Sequence, residues 1–359
     1  MAEPAYAFRK RLAVVHAPDW RDPAVLPGHA DAVVGEGWSV VVARDASALL
    51  LGVAQDLQDY LLISMGVSVL LRRVEDIAAA TQPGSQSVVL ATTRELPEEG
   101  ATLTVARSYR LRSTADLIVI CGFDERGAAQ GSYFLEDQMN LRAAPFLAPA
   151  DVQRQPLFSP RMIHSGWGLD EFPDAHLNAI AHAGLDAILL FVTGVDRTPD
   201  EHTHRDGLHG TGRHRDIGDL IDRAAHYGLD VYLYSYLRSE KALSDPDAEA
   251  YYDSTYGALF QAYPQVKGVI LVGESVEFPS SDPRTTRRLR LTPSPDGLPA
   301  DKPSPGWWPC TDYPEWLTLL KRVIRRHAPN AEIVFWTYNW GYAPEADRLA
   351  LIRRLPEDI

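Results

Sequence analysis

The second half of this chain repeats one pattern, and that pattern narrows the possible folds more than any other feature. Short, almost unbroken apolar runs alternate with segments whose apolar residues recur at helical spacing. The runs are Met162 to Trp167, Asp186 to Gly194, Val231 to Leu237, Gly268 to Gly273 and Glu332 to Tyr338. Helical stretches cover 173–183, 217–227, 248–262, 313–327 and 344–355, the first two ending at Gly184 and Gly228. A strand that is apolar on both faces has to be covered on both faces, which a parallel sheet flanked by helices achieves. The alternation therefore predicts a parallel α/β architecture.

Two arrangements would satisfy it, a doubly wound sheet and a (β/α)8 barrel. No glycine-rich phosphate loop follows any of these strands, which speaks against the doubly wound nucleotide binders. The strand ends carry aromatic and ionisable groups instead: His164 and Trp167, Thr193, Tyr234 and Tyr236, Glu274 and Glu277, then Trp336, Tyr338, Asn339 and Trp340. Barrels gather their chemistry from the C-terminal ends of several strands in this way. Residues 161–359 are accordingly read as a TIM-type (β/α)8 catalytic barrel cut off after about five strands, with Leu355 to Ile359 leading toward a sixth.

Residues 1–148 have a different rhythm. Strands are expected at 39–44, 67–72, 87–91, 108–112 and 117–121, with a helix over 46–65 stopped by Gly66 and another after Gly122. This is a small α/β domain. The segment around Pro145, Pro149, Pro156 and Pro160 follows; proline fixes φ and removes a donor, so 149–160 is expected to be an extended linker.

Composition removes several function classes. The 359 residues carry a formal net charge of -13, which opposes binding to nucleic acid. The two cysteines, Cys121 and Cys310, stand far apart and support neither a disulfide framework nor a cysteine zinc site. The apolar stretch from Ala48 to Leu71 is interrupted by Gln55, Asp56, Gln58 and Asp59, so no membrane span is expected. The N-terminus lacks the apolar run of a signal peptide, and a cytoplasmic protein is the expectation. No cofactor is implied, and the oligomeric state is left open.

The strongest chemical element is GVILVGESVEFP, Gly268 to Pro279. An apolar strand delivers Glu274 to its C-terminal end, and Glu277 follows three residues later. Burial there would raise a carboxyl pKa toward the working pH of a general acid. Glycoside hydrolysis uses a pair of carboxyl groups across the scissile bond, and Glu274 and Glu277 are the catalytic candidates. The run FWTYNWGY offers rings that can stack on sugar C–H faces, with Trp336 and Tyr338 expected to point inward and Asn339 and Trp340 to sit at the rim. His164, Trp167 and Tyr236 complete the candidate substrate-binding set. The loop EHTHRDGLHGTGRH, 201–214, holds four histidines, but its spacing is not HExxH and it is read as a polar loop, with no metal site. A proline-rich insertion with Trp307 and Trp308 occupies 280–311 and has the length of a lid or binding loop.

The segment STADLIVICGFDERGAAQGSYFLEDQM resembles the small domain that precedes the barrel in family-20 β-hexosaminidases and family-67 α-glucuronidases. The matching residues are Gly127, Gly131, Tyr133, Leu135 and Glu136, with Gln130 where an aromatic is common; RMIHSGWG resembles the entry to those barrels. The resemblance implies O-glycosyl hydrolysis of a poly- or oligosaccharide, with a general acid at the end of the fourth barrel strand, which corresponds to Glu274. The hexosaminidases use an adjacent Asp-Glu pair; here Gly273 precedes Glu274, so the α-glucuronidase pattern is the nearer one. Two readings of another class stay open: a non-catalytic carbohydrate-binding protein on a degenerate barrel, which would tolerate Gln at 274, and a metal-dependent barrel hydrolase using the histidine loop.

Overall fold

The computed structural model describes residues 14–164, 172–193, 203–204, 217–235, 241–273, 280–282, 309–337, 340 and 343–359. The chain divides into two compact units. The first comprises Met1–Arg161, Phe172–Asp186 and Arg223–Leu229; the second comprises Met162–Glu171, Ala187–Asp222 and Asp230–Ile359.

The first unit is built on a six-stranded sheet. Its strands are β2 (Ser39–Ala43), β3 (Leu70–Val74), β4 (Ser87–Thr92), β5 (Tyr109–Thr114), β6 (Leu117–Gly122) and β8 (Ala150–Arg154), in the order β3-β2-β4-β6-β5-β8. A short antiparallel pair, β1 (Ala32–Val33) and β7 (Phe146–Leu147), stands apart from it. β3, β2, β4 and β6 are parallel, while β5 runs antiparallel to both of its neighbours. The apolar runs SVVVA, SVVLAT and LIVICG are buried along their whole length because they form the middle of the sheet.

Helix α1 (Ala48–Ile63) starts where Ser47 accepts a hydrogen bond from the Leu50 N–H and stops before Gly66, whose φ of 64° suits glycine. It buries Leu50, Val53, Leu57, Tyr60 and Leu61, positions that share one helical face. Helix α2 (Glu125–Arg142) is capped by Asp124, which accepts from the Gly127 N–H at 2.7 Å. Helix α3 (Asp174–His182) also belongs to this unit.

Two expectations change. The strand expected at 67–72 runs instead over Leu70–Val74. The segment read as a linker contains β8: between Pro149 and Pro156 the chain has no proline, and Ala150–Arg154 pairs with β5 as the outermost strand of the sheet. A two-pronged ion pair, Arg110 Nε to Asp151 Oδ1 at 2.8 Å and Nη2 to Oδ2 at 2.7 Å, fixes that pairing.

In the second unit five parallel strands lie side by side in chain order: β9 (Met162–His164), β10 (Ala187–Thr193), β12 (Asp230–Ser235), β13 (Gly268–Val272) and β14 (Glu332–Trp336). A two-residue strand, β11 (Thr203–His204), pairs antiparallel with the end of β10. Each strand sits beside its successor, the winding of a barrel rather than of a doubly wound sheet. Helices α4 (Ile217–His226), α5 (Ala248–Tyr252), α6 (Ala258–Ala262) and α7 (Tyr313–His327) fall between these strands in sequence and α8 (Glu345–Ile352) follows β14, with one π-helical turn, Asp253–Gly257, between α5 and α6. Among the described residues no sixth parallel strand is present. One face of the sheet, with Leu233, Val269, Leu271 and Ile333, is buried on the side of the helices. There α7 contributes the fully buried Tyr313 and Trp316, and Trp316 meets the Tyr252 ring edge-on at 6.4 Å.

In α2, Gly127 and Gly131 lie one turn apart on the side facing the sheet. A Cβ on Gly127 would fall on the Ser108 carbonyl oxygen, and one on Gly131 would fall on the Ile120 side chain. A Cβ on Gly35, by contrast, would meet nothing within 4 Å. Gly127→Ala and Gly131→Ala should therefore each lose about 1–3 kcal/mol through overpacking, despite alanine's better helix propensity. Gly35→Ala should stay within about 0.5 kcal/mol of the parent. Urea unfolding of the three variants checks this, and equal stability of all three would contradict the close approach.

Candidate active site

Parallel pairing places residues that share a register on the same face of the sheet. In the second unit the pairs are His164 with Leu189, Leu189 with Tyr232, Tyr234 with Ile270, Ile270 with Val334 and Val272 with Trp336. Ala187, Leu189, Tyr232, Tyr234, Ile270 and Val272 form one buried apolar cluster on this face, joined by Met162 and Val334. Its C-terminal end is marked by the last residues of the two outer parallel strands, His164 on β9 and Trp336 on β14.

Tyr234 and Trp336 stand two strands apart, about 10 Å along a sheet. Their rings nevertheless meet edge to face, with centroids 5.6 Å apart. Side chains from β12 and β14 thus converge over β13 on this face. Tyr234 is buried, whereas Trp336 is 38% exposed. The result is a firm aromatic corner with one indole open to a ligand, at the end of the strands where barrel chemistry is found.

The opposite end of the same face is differently equipped. Glu332, the first residue of β14, accepts a hydrogen bond from the Tyr232 hydroxyl and pairs with Lys267 Nζ at 2.9 Å. Burial opposes its ionisation, but the Tyr232 and Lys267 hydrogen bonds outweigh burial and hold the carboxyl below its usual range. A carboxylate so anchored at the N-terminal end of the strands is structural. Sequence reading had passed over it.

Trp340, expected at the rim, is buried at 3% exposure. The chain turns after β14, with the Trp340 N–H on the Thr337 carbonyl at 3.2 Å, and the indole tucks toward the helices. It stacks on Tyr313 and meets Phe335 edge-on. Its Nε1 donates to the Gly273 carbonyl at 2.9 Å, while the Gly273 N–H donates to the Trp336 carbonyl at 2.9 Å. Gly273 itself has no room for a side chain, since a Cβ would lie 2.7 Å from Phe335 Cζ. The residue before Glu274 is thus tied on both sides. Glu274, Glu277, Trp167, Tyr236, Tyr338 and Asn339 lie outside the described residues, as does most of the histidine loop. Of the nine sequence candidates, His164, Trp336 and Trp340 are described; the face brings Trp336 against Tyr234, and Trp340 leaves it. Both cysteines are buried, and burial pushes each thiol up to about 12, which removes them as nucleophiles.

No family model matches the chain, and comparison with curated proteins finds no match. Solved structures of low sequence identity do share its fold. A mutant β-hexosaminidase from Streptomyces plicatus, in complex with product (GlcNAc), aligns over 93% of this chain and 72% of its own at 13% identity and a TM-score of 0.60. The GH20 β-N-acetylhexosaminidase from Streptomyces coelicolor A3(2) aligns over 92% and 71% at 14% identity with a TM-score of 0.60. The S. plicatus N-acetyl-β-hexosaminidase in complex with Thio-NAglucal aligns over 91% and 70% at 12% identity and a TM-score of 0.61. The fold is therefore one used by glycoside hydrolases. No helix among the described residues is long and apolar enough to cross a membrane.

Replacing Trp340 by Phe keeps a ring in the pocket and removes the donor to the Gly273 carbonyl. Leaving that acceptor unpaired should lower stability by about 1–3 kcal/mol without altering the secondary structure. Urea unfolding followed by circular dichroism measures it, and an unchanged midpoint would show that Gly273 does not depend on this bond.

Proposed function

We propose that this protein is an O-glycosyl hydrolase acting on a poly- or oligosaccharide, with its site at the C-terminal end of the face that carries Trp336. The observation that carries this reading is the half-open Trp336 held against Tyr234 on a fold shared with β-hexosaminidases. An indole so fixed offers a flat apolar surface to the C–H face of a sugar ring, and losing no rotamer freedom on binding favours affinity. His164 sits at the same end and supplies a hydrogen-bonding group for hydroxyls. Trp167, Tyr236, Tyr338 and Asn339 are the further contacts proposed from sequence.

Glu274 is proposed as the general acid. It follows β13 by two positions in sequence, directly after the tethered Gly273. Its carboxyl proton would pass to the glycosidic oxygen as the bond to the anomeric carbon breaks, and water would complete the hydrolysis. The residue before it is glycine where the hexosaminidases of the resemblance carry Asp, so a mechanism using the substrate's acetamide group is not proposed. The α-glucuronidase-like pattern is preferred on that ground. Glu277 is the second carboxylate candidate.

Glu274→Gln keeps the shape and removes the transferable proton. Turnover of substrates with poor leaving groups should fall by ~10²–10⁴-fold. Substrates with activated aryl leaving groups should be partly spared, and Glu277→Gln should be milder on both. Steady-state kinetics on a leaving-group series decides it: equal loss on all substrates contradicts the general-acid role, and full activity removes Glu274 from the mechanism.

A further inference from the structure

Three helices of the first unit each send one ionisable side chain to a common point: Asp56 from α1, Glu136 from α2 and His182 from the last position of α3. None of them belongs to the Trp336 face of the second unit. His182 Nε2 lies 3.1 Å from Asp56 Oδ2 and 3.1 Å from Glu136 Oε2. One donor atom from each residue falls within 4.8 Å of the other two. Tetrahedral ligands at zinc-like bond lengths are about 3.3 Å apart, close to the two separations from His182 Nε2.

The tautomer that a neutral His182 ring adopts is set by its other nitrogen. Nδ1 lies 2.9 Å from the Asn178 carbonyl, which can only accept, so Nδ1 carries a proton. In a neutral imidazole the lone pair is then on Nε2 and faces the two carboxylates. This is the tautomer that metal-ligating histidines adopt when a backbone carbonyl holds the other N–H. Asp56 is held from outside the triad: its Oδ1 accepts from Asn178 Nδ2 at 2.8 Å and lies 3.1 Å from His16 Nε2.

An imidazolium in place of a metal bridges the two carboxylates but leaves one oxygen of the cluster without a partner. It offers one proton from Nε2, shared between Asp56 Oδ2 and Glu136 Oε2, each 3.1 Å away. Glu136 is 3% exposed, and it is its Oε1 that lacks a partner. The contrast within the same unit is Asp186, equally buried. Arg161 N–H donates to its Oδ1 at 2.7 Å, and Arg161 Nε and Arg107 Nη1 both reach its Oδ2 at 3.1 Å. This unit satisfies a buried carboxylate where no ligand is called for.

We infer that Asp56, Glu136 and His182 form a binding site for a divalent transition-metal ion of the zinc type. Two carboxylates and one neutral imidazole neutralise a dication and suit zinc by donor type. Of the three, His182 also lines a cavity of about 280 Å³ in this unit, together with Tyr133, Gln130 and Tyr109. The position of the site among three helices makes its role structural: it ties α3 to α1 and α2. It is independent of the hydrolase reading.

The test uses the full chain, stripped with chelator and dialysed. Titration with zinc chloride should show one equivalent bound through these ligands, with a rise in the thermal midpoint. His182→Ala should abolish that equivalent, and the near-isosteric Glu136→Gln should weaken it by roughly 100-fold or more. His202→Ala and His204→Ala, in the histidine loop, should leave it intact. X-ray absorption at the zinc edge of the loaded parent protein should report one imidazole among oxygen ligands, whether or not the variants fold. No zinc uptake by the parent overturns the proposal, as does a shell of several imidazoles or uptake undiminished in His182→Ala.

Discussion

In-register parallel pairing from β9 to β14 is the constraint on which the second unit depends. Once Leu189 is opposite Tyr232 and Ile270 opposite Val334, every second side chain is committed to one face. A one-residue slip would exchange Tyr234 and Ile270 for Leu233 and Leu271 and turn Trp336 toward the helices. The apolar stacking on both faces opposes such a slip: Phe335 packs against Tyr313 and Trp340 on one side, and Tyr234 packs against Trp336 on the other. The aromatic corner is thus a consequence of the same burial that holds the sheet together.

Much of this was legible in the sequence, for a physical reason. Continuous apolar runs such as GVILV have few alternatives to strands covered on both faces, and the repeated strand–helix alternation leads each parallel strand to its neighbour. Trp336 could be read as inward because strand alternation is a local rule. Trp340 could not, because its direction is set by a turn after β14 and by a carbonyl 67 residues away at Gly273. β8 was missed for a related reason: the flanking prolines advertise a linker, whereas its pairing depends on β5, distant in sequence.

The polar network of the first unit was the least legible feature. Asp56 was noticed only as an interruption in an apolar stretch, and Glu136 as one letter of a motif. His182, at the end of a short helix, carried no signal. Only the packing of three helices brings them within hydrogen-bond distance, and no spacing along the chain encodes it. Glu332 is a similar case at the other end of the second unit, where Tyr232 and Lys267 turn an isolated carboxylate into an anchor. Carboxylates therefore take different roles here according to what surrounds them.

The central claim is that the Trp336 face of the second unit receives a sugar ring. The most direct measurement is a crystal structure of the full chain with the tightest binder from a panel of iminosugars. The account predicts the ring stacked on the exposed face of Trp336, beside Tyr234, with the glycosidic position directed toward the segment after Gly273. A ligand bound elsewhere, with Trp336 uncovered, would contradict it.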